Sequence, residues 1–245
     1  MSTNDQHTPH ESAKTYGQLH RRLFEGRAAF FTVAMTIAVL IGGIVEFVPM
    51  FTVSYGPERA EWITPYTPLE VAGRDIYIRE GCYTCHSQMV RPMRSEVLRY
   101  GEWTRAPEYM YDRPFQLGSR RIGPDLQRLG GKYPDAWHFE HMRDPRATSP
   151  GSVMPAYSWL HERALDPADV TRSVRALQRV GTPYEGNLAT MVPQEMERQG
   201  RQIVANLGQA SIQTTWDREI IALIAYLQRL GVEGREHLAA QGNGQ

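Results

Sequence analysis

The chain has 245 residues, with 27 Lys and Arg against 27 Asp and Glu, so its formal net charge is zero. That length suits one ordinary domain with additions, and the charge balance excludes the basic footprint of a nucleic-acid binder. The two cysteines, Cys82 and Cys85, are too close for a disulfide to restrain much chain and too few for a zinc site without two suitably spaced histidines. The basic residues are nearly all Arg, with Lys only at Lys14 and Lys132. That bias suits planar pairing with carboxylates and equally fits genome composition.

From Ala28 to Val45 the chain reads AAFFTVAMTIAVLIGGIV, without a charge. Glu46 interrupts, and Phe47, Val48, Met50 and Phe51 continue the apolar character. A bilayer needs about 20 such residues, and a buried core helix would show a stripe where this one is apolar all round. A cleaved signal peptide is the rival, but the run exceeds a usual h-region and no A-x-A site follows. The segment is therefore expected to be a membrane anchor over 28–51, after an N-terminal segment 1–27. Lys14, Arg21, Arg22 and Arg27 precede it, whereas Arg59 is the next basic residue after it. Positive-inside places the N-terminus in the cytoplasm and the rest across the membrane. Glu46 then lies at the interface or against a partner helix. Residues 52–68, with Gly56, Pro57, Pro65 and Pro68, read as a linker.

The next segment is Gly81-Cys82-Tyr83-Thr84-Cys85-His86. C-x-x-C-H reads as a c-type haem attachment. Two thiols at i and i+3 share one face of a helical turn, so Cys82 and Cys85 can add to the two vinyl groups of one porphyrin. His86 then reaches the iron from the same side. A thioredoxin-like redox pair is the alternative, but no βαβ pattern accompanies it. The opposite ligand is expected among the methionines after the motif: Met89, Met93, Met110, Met142, Met154, Met191 and Met196. Met89 and Met93 are too near to wrap round the haem. Met154 stands in the stiff Pro/Gly loop Ser149-Pro150-Gly151-Ser152-Val153-Met154-Pro155, where a backbone can be held against a flat ligand. A thioether opposite an imidazole raises the potential and fills both axial sites, which suits electron transfer and not oxygen binding. In Ile122-Gly123-Pro124-Asp125-Leu126, the Pro124 carbonyl can accept from the second ring nitrogen of His86 and tune the iron, although G-P is a common turn pair by itself.

Helices are expected at Leu69–Glu80, at Leu165–Val180 with Asp166-Pro167 as its start, at Pro193–Leu207, and at Thr215–Leu230. The last carries Ile220, Leu223, Ile224 and Leu227 at helical spacing and ends at Gly231. Hairpin signals are lacking, so the fold class is all-α: a single N-terminal transmembrane helix, then a haem domain with long loops over 69–231, then a flexible tail over 232–245. Arg91, Arg94, Arg99, Arg105, Arg113, Arg120, Arg121 and Arg128 crowd the stretch between His86 and Lys132; they fit either pairing with haem propionates or a solvated surface.

The order helix, C-x-x-C-H, GPDL, MP, C-terminal helix resembles class I cytochromes c. The longer strings GCYTCHSQMVRPMRSEVLRYGEW, SRRIGPDL and PGSVMPAY resemble the mono-haem subunit II (FixO type) of cbb3-type cytochrome c oxidases. The resemblance runs from the anchor to about Gly231. It implies one covalently bound haem c on Cys82 and Cys85, with His86 and Met154 as axial ligands. It also implies a haem–copper catalytic subunit and a di-haem cytochrome subunit as partners beside membrane lipid, and a place in the bacterial inner membrane with the haem domain periplasmic. The role implied is electron relay toward the subunit that reduces oxygen, with no oxygen-reducing site in this chain. A membrane-anchored cytochrome serving another complex, such as nitric oxide reductase, or a haem-based ligand sensor would share the anchor and the haem motif.

Overall fold

The computed structural model describes residues 17, 18, 20–22, 26–52 and 60–242. Lys14 and linker residues 53–59, among them Gly56, Pro57 and Arg59, lie outside the described residues, as do the last three residues of the expected tail. Two compact units divide the chain, 1–56 and 57–245. The described residues form helices and turns without a strand.

In the first unit, helix α1 spans Ala28–Thr52. Its stretch Ala28–Val48 has 21 residues and a mean hydropathy of 2.4. At 1.5 Å per residue such a helix is about as long as a bilayer core is thick. Its apolar side chains, Val39, Leu40 and Val45 among them, are exposed. It is long and apolar enough to cross a membrane, as the charge-free run predicts.

The second unit is built on the crossing of its first long helix with a late one. Helix α2, Pro68–Arg79, starts where the sequence places a Pro at the first turn, and a capping box closes that end. The Thr67 hydroxyl accepts from Glu70 N at 3.3 Å and the Glu70 carboxylate accepts from Thr67 N at 2.8 Å, so two otherwise orphaned amides are satisfied. After it come α3, Arg94–Tyr100, α4, Asp135–Arg143, and the single turn α5, Pro145–Thr148. Helix α6, Pro167–Arg179, is capped by Asp166, whose carboxylate accepts from Ala168 N at 2.8 Å.

Helix α7 runs Leu188–Gln209, five residues earlier than Pro193 suggests. Asn187 caps this earlier start, and Pro193 is tolerated inside the second turn at the loss of one backbone bond. Helix α8 occupies Glu219–Arg229 and not 215–230. Residues 217 and 218 are instead drawn into extended pairing: Leu165 N donates to Asp217 O at 2.7 Å and Glu219 N to Arg163 O at 3.0 Å.

Every residue of α8 from Glu219 to Leu227 is buried. Its Ala222 and Tyr226 meet Gly73 of α2 so closely that a Cβ on Gly73 would lie 1.9 Å from the Ala222 carbonyl oxygen. Leu69, Val71 and Ile76 of α2, Val174 of α6 and Leu207 of α7 complete the same core. A buried ion pair ties a loop to α2: Arg74 Nε lies 3.5 Å from Asp112 Oδ1, while Arg74 Nη2 donates to Pro114 O at 2.6 Å.

Both ends of the unit depart from what composition suggests. The expected tail from 232 carries helix α9, Val232–Gly242. Glu233 accepts from Thr64 N at 3.0 Å and from Thr64 Oγ1 at 2.6 Å, and His237 stacks on Trp62 with centroids 4.2 Å apart. The linker's last residues, 60–67, are therefore part of the body, with Ile63 buried. Their polar composition hid an anchorage made by side-chain carboxylate and ring stacking, neither of which leaves a periodic signal.

Gly73→Ala is expected to destabilise the detergent-solubilised chain by about 3 kcal/mol, the upper range for overpacking, read as a lower denaturant midpoint. Gly208→Ala, where an added Cβ meets nothing within 4 Å, should instead stabilise the chain by up to about 1 kcal/mol, read as a higher midpoint.

Candidate functional site

Glu80 is the C-cap of helix α2, and Gly81 follows with φ 71°. That left-handed residue costs a glycine little and turns the chain into a single 3-10 turn, Cys82–Thr84. Cys85 N and His86 N both donate to Cys82 O, at 3.1 and 3.0 Å. The two thiols are thus brought to one turn, unbonded to each other, as the i, i+3 spacing predicts. Burial pushes the Cys82 thiol up to about 12.

His86 Nδ1 lies 2.8 Å from Pro124 O. A carbonyl only accepts, so Nδ1 carries the hydrogen and Nε2 is left with its lone pair. Burial lowers the His86 pKa, against the opposing pull of Pro124 O and Asp125, and so favours the neutral imidazole that a metal needs.

The neighbouring Gly123 explains the common G-P turn in a new way. A Cβ there would fall 2.2 Å from His86 Cε1 and 2.7 Å from both ring nitrogens. The glycine is demanded by contact with the ring. Gly123 N also donates to Cys85 O at 3.0 Å.

A polar clamp, which sequence reasoning missed, holds these two loops together. Asp125 accepts from Ser87 Oγ at 2.6 Å, from Met89 N at 2.9 Å and from Gln127 N at 2.9 Å. Arg121 donates to Ser87 Oγ at 2.6 Å, to Met89 O at 2.9 Å and to Glu96 at 2.7 Å. Glu96 accepts in addition from Arg91 N at 2.9 Å. Its carboxyl is held down to about 2, chiefly by the hydrogen bond from Arg121. The only signal in the sequence was the Asp following Gly-Pro, which reads as turn chemistry.

Cys82, Cys85, His86, Pro124 and Met154 all border one cavity of about 500 Å³. Of the methionines weighed as ligands, Met142 and Met154 line it. Met142 belongs to the buried core on α4, whereas Met154 is partly exposed in its loop. Among the described residues no Arg or Lys borders the cavity. Arg121 is committed to the clamp, and Arg128 to Glu108 at 2.5 Å.

Two polar groups in the cavity wall, also missed, lack a partner among the described residues: the Tyr77 hydroxyl and both ring nitrogens of His138. Burial pushes the His138 ring down to about 4. Periodicity places Tyr77 on a helix, helix α4 is too short to show a period for His138, and neither signal exposes an unmet hydrogen bond.

Fold and site together define an all-helical protein with two thiols, an imidazole and a thioether gathered round one largely apolar cavity. The chain belongs to the family described as cytochrome C oxidase, mono-heme subunit/FixO, which it matches over residues 20–233. A comparison with curated proteins finds no match. Membership makes the chain a subunit of an oxidoreductase complex, with partner subunits and one haem implied. The residues present fit that group. The volume lies within the roughly 300–1,000 Å³ of cofactor pockets, and the glycine leaves the His86 ring clear.

The clamp makes a pH prediction. Glu96 has a folded-state pKa below its unfolded value, so its stabilisation is whole above about pH 4.3 and drains away as the pH falls through about 2. Acid unfolding should separate the wild type from Glu96→Gln most at pH 6 and bring them together near pH 2.

Proposed function

We propose that this chain is the electron-transfer subunit of a membrane-bound cbb3-type cytochrome c oxidase, relaying electrons from a di-haem cytochrome subunit toward a haem–copper catalytic subunit. The observation that carries the reading is the His86 imidazole. Its Nδ1 is fixed on Pro124 O at 2.8 Å beside the two thiols of a single turn, in a cavity that Met154 also lines.

Cys82 and Cys85 would hold one haem c by thioether bonds, and His86 Nε2 and Met154 Sδ would ligate its iron. Bound there, the haem supplies a one-electron couple between ferric and ferrous iron. His86 is oriented by Pro124, and a ring so held in one tautomer gives a ligand bond of fixed direction. The neutral thioether of Met154 favours the reduced state and raises the potential. With both His86 and Met154 on the iron, the site would keep oxygen from binding and confine the chain to electron transfer. The apolar walls formed by Leu126, Leu223 and Leu227 would limit the access of water to a haem bound there.

The anchor, 28–51, would sit in the bacterial inner membrane, with residues 1–27 cytoplasmic. Residues 53–59 would lead to a periplasmic haem domain that takes in 60–68 and helix α9 beside the expected 69–231. The apolar helix Ala28–Thr52 and the basic residues before it, Arg21, Arg22 and Arg27, support that placement.

The tagged chain, purified from its native membrane, should bring a haem–copper subunit with it and carry one haem per chain that survives denaturation. Association with a different catalytic subunit would sink the reading. Cys82→Ser with Cys85→Ser should abolish haem staining in a denaturing gel. Met154→Ala should lower the potential and let carbon monoxide bind rapidly to the reduced protein, which the wild type should not do.

A further inference from the structure

Within Ala28–Val48 the only hydroxyls are those of Thr32 and Thr36, and the only ionisable group is Glu46. A helix turns about 100° per residue, which on α1 brings Thr32, Thr36, Gly43 and Glu46 within about 80° of one another, with Val39 in their midst. Ile37, Ile41 and Val45, all exposed, lie across the helix from them. We propose that this narrow face seats α1 against a transmembrane helix of the haem–copper subunit, with Glu46 hydrogen-bonded to that helix. The seating rests on the relay reading above and adds the side by which the anchor meets its partner.

Glu46 demands such a neighbour. Its side chain is exposed and has no hydrogen bond or ion pair among the described residues. It does not mark the end of the apolar segment, since Phe47, Val48, Pro49, Met50 and Phe51 follow it. The helix runs on to Thr52, about 9 Å further along its axis. Helical side chains lean toward the N-terminus, so Glu46 tilts back into the span and away from the nearer surface. An ionisable group among lipid tails is costly, and in membrane proteins such groups turn to a partner or a wet cavity.

Gly43 points the same way independently. A Cβ on it would meet nothing within 4 Å, so no contact within the described chain requires a glycine there, while a glycine weakens its own helix. A small residue on a membrane helix lets a neighbouring backbone come close, and Gly43 opens that approach on the face that carries Glu46. The Thr36 hydroxyl already donates to Thr32 O at 2.8 Å. It needs no partner to lie in the membrane and keeps a lone pair for one. Charge decides between occupants. A second, parallel copy of this chain would set one Glu46 against another, and lipid tails supply no donor. The subunit that takes this chain's electrons is the partner the relay reading already places beside it.

The test uses the whole complex in its native membrane, with this chain tagged and a benzophenone side chain placed at Val39 or at Ile41. Light should join the Val39 form to the haem–copper subunit and join the Ile41 form to no protein. Substitutions then read the polar contact after solubilisation in detergent, as the haem–copper subunit recovered with the tagged chain. Glu46→Leu, which still suits a membrane helix, should lower that recovery by about tenfold. Glu46→Gln, which keeps a hydrogen-bonding side chain, should recover it as the wild type does. Ala34→Leu, on the Ile41 side, should leave it unchanged, and haem per chain should be the same in all. Equal crosslinking from Val39 and Ile41, a Val39 crosslink to another subunit or to a second copy of this chain, or equal recovery in Glu46→Leu and Glu46→Gln overturns the seating and leaves the relay reading intact. A wild-type preparation without a haem–copper subunit overturns both.

Discussion

The site depends on one hydrogen bond, 2.8 Å long, between His86 Nδ1 and the Pro124 carbonyl. It fixes the tautomer, the tilt of the ring and the direction of the free lone pair at once. A bond to a loop carbonyl is only as good as the positioning of the loop, and both partners lie in irregular chain. The Ser87–Asp125–Arg121–Glu96 clamp supplies that positioning, with Leu126 N on Ser87 O at 2.9 Å and Gly123 N on Cys85 O at 3.0 Å as backbone stitches beside it. Charge-assisted bonds in a buried setting are stronger than neutral ones, so a segment without secondary structure is held nearly as firmly as a helix.

The same economy links the site to the core. Gln88, two residues beyond His86, donates to the Tyr226 hydroxyl of α8 at 2.9 Å. Tyr226 packs against Tyr77 of α2 with centroids 5.4 Å apart. Cys82 follows α2 directly, so the thiols sit at the end of the helix whose Gly73 presses on α8. The attachment residues therefore inherit the stiffness of the tightest helix crossing in the unit.

Much of this was legible in the sequence, and the limits have physical causes. Long helices with apolar periodicity were found within a few residues. Pro193 misled because proline marks helix starts more often than interiors, and Thr215 to Arg218 misled because extended pairing with 163–165 outcompeted helix there. Short helices such as Arg94–Tyr100 and Asp135–Arg143 present too few turns for a period. At the site, Cys82, Cys85, His86, Pro124 and Met154, which border one cavity, could be named as candidates because the motifs around them are written in adjacent residues. Asp125, Arg121, Glu96 and His138 could not. The importance of Asp125, Arg121 and Glu96 lies in what they touch across 25 to 38 residues of chain; the unmet bonds of His138 leave no sequence signal.

The meeting of α2 with α8 also sets an order of events during synthesis. Gln88 and Tyr226 are 138 residues apart along the chain, and contacts of such separation form late. The core beside Gly73 stays open until residues 219–229 have emerged. Chains grow from the N-terminus, so Cys82, Cys85 and His86 are made long before the helix that closes over them. A chain that has not yet made residues 219–229 therefore lacks the Leu223 and Leu227 wall of the cavity that Cys82, Cys85 and His86 border.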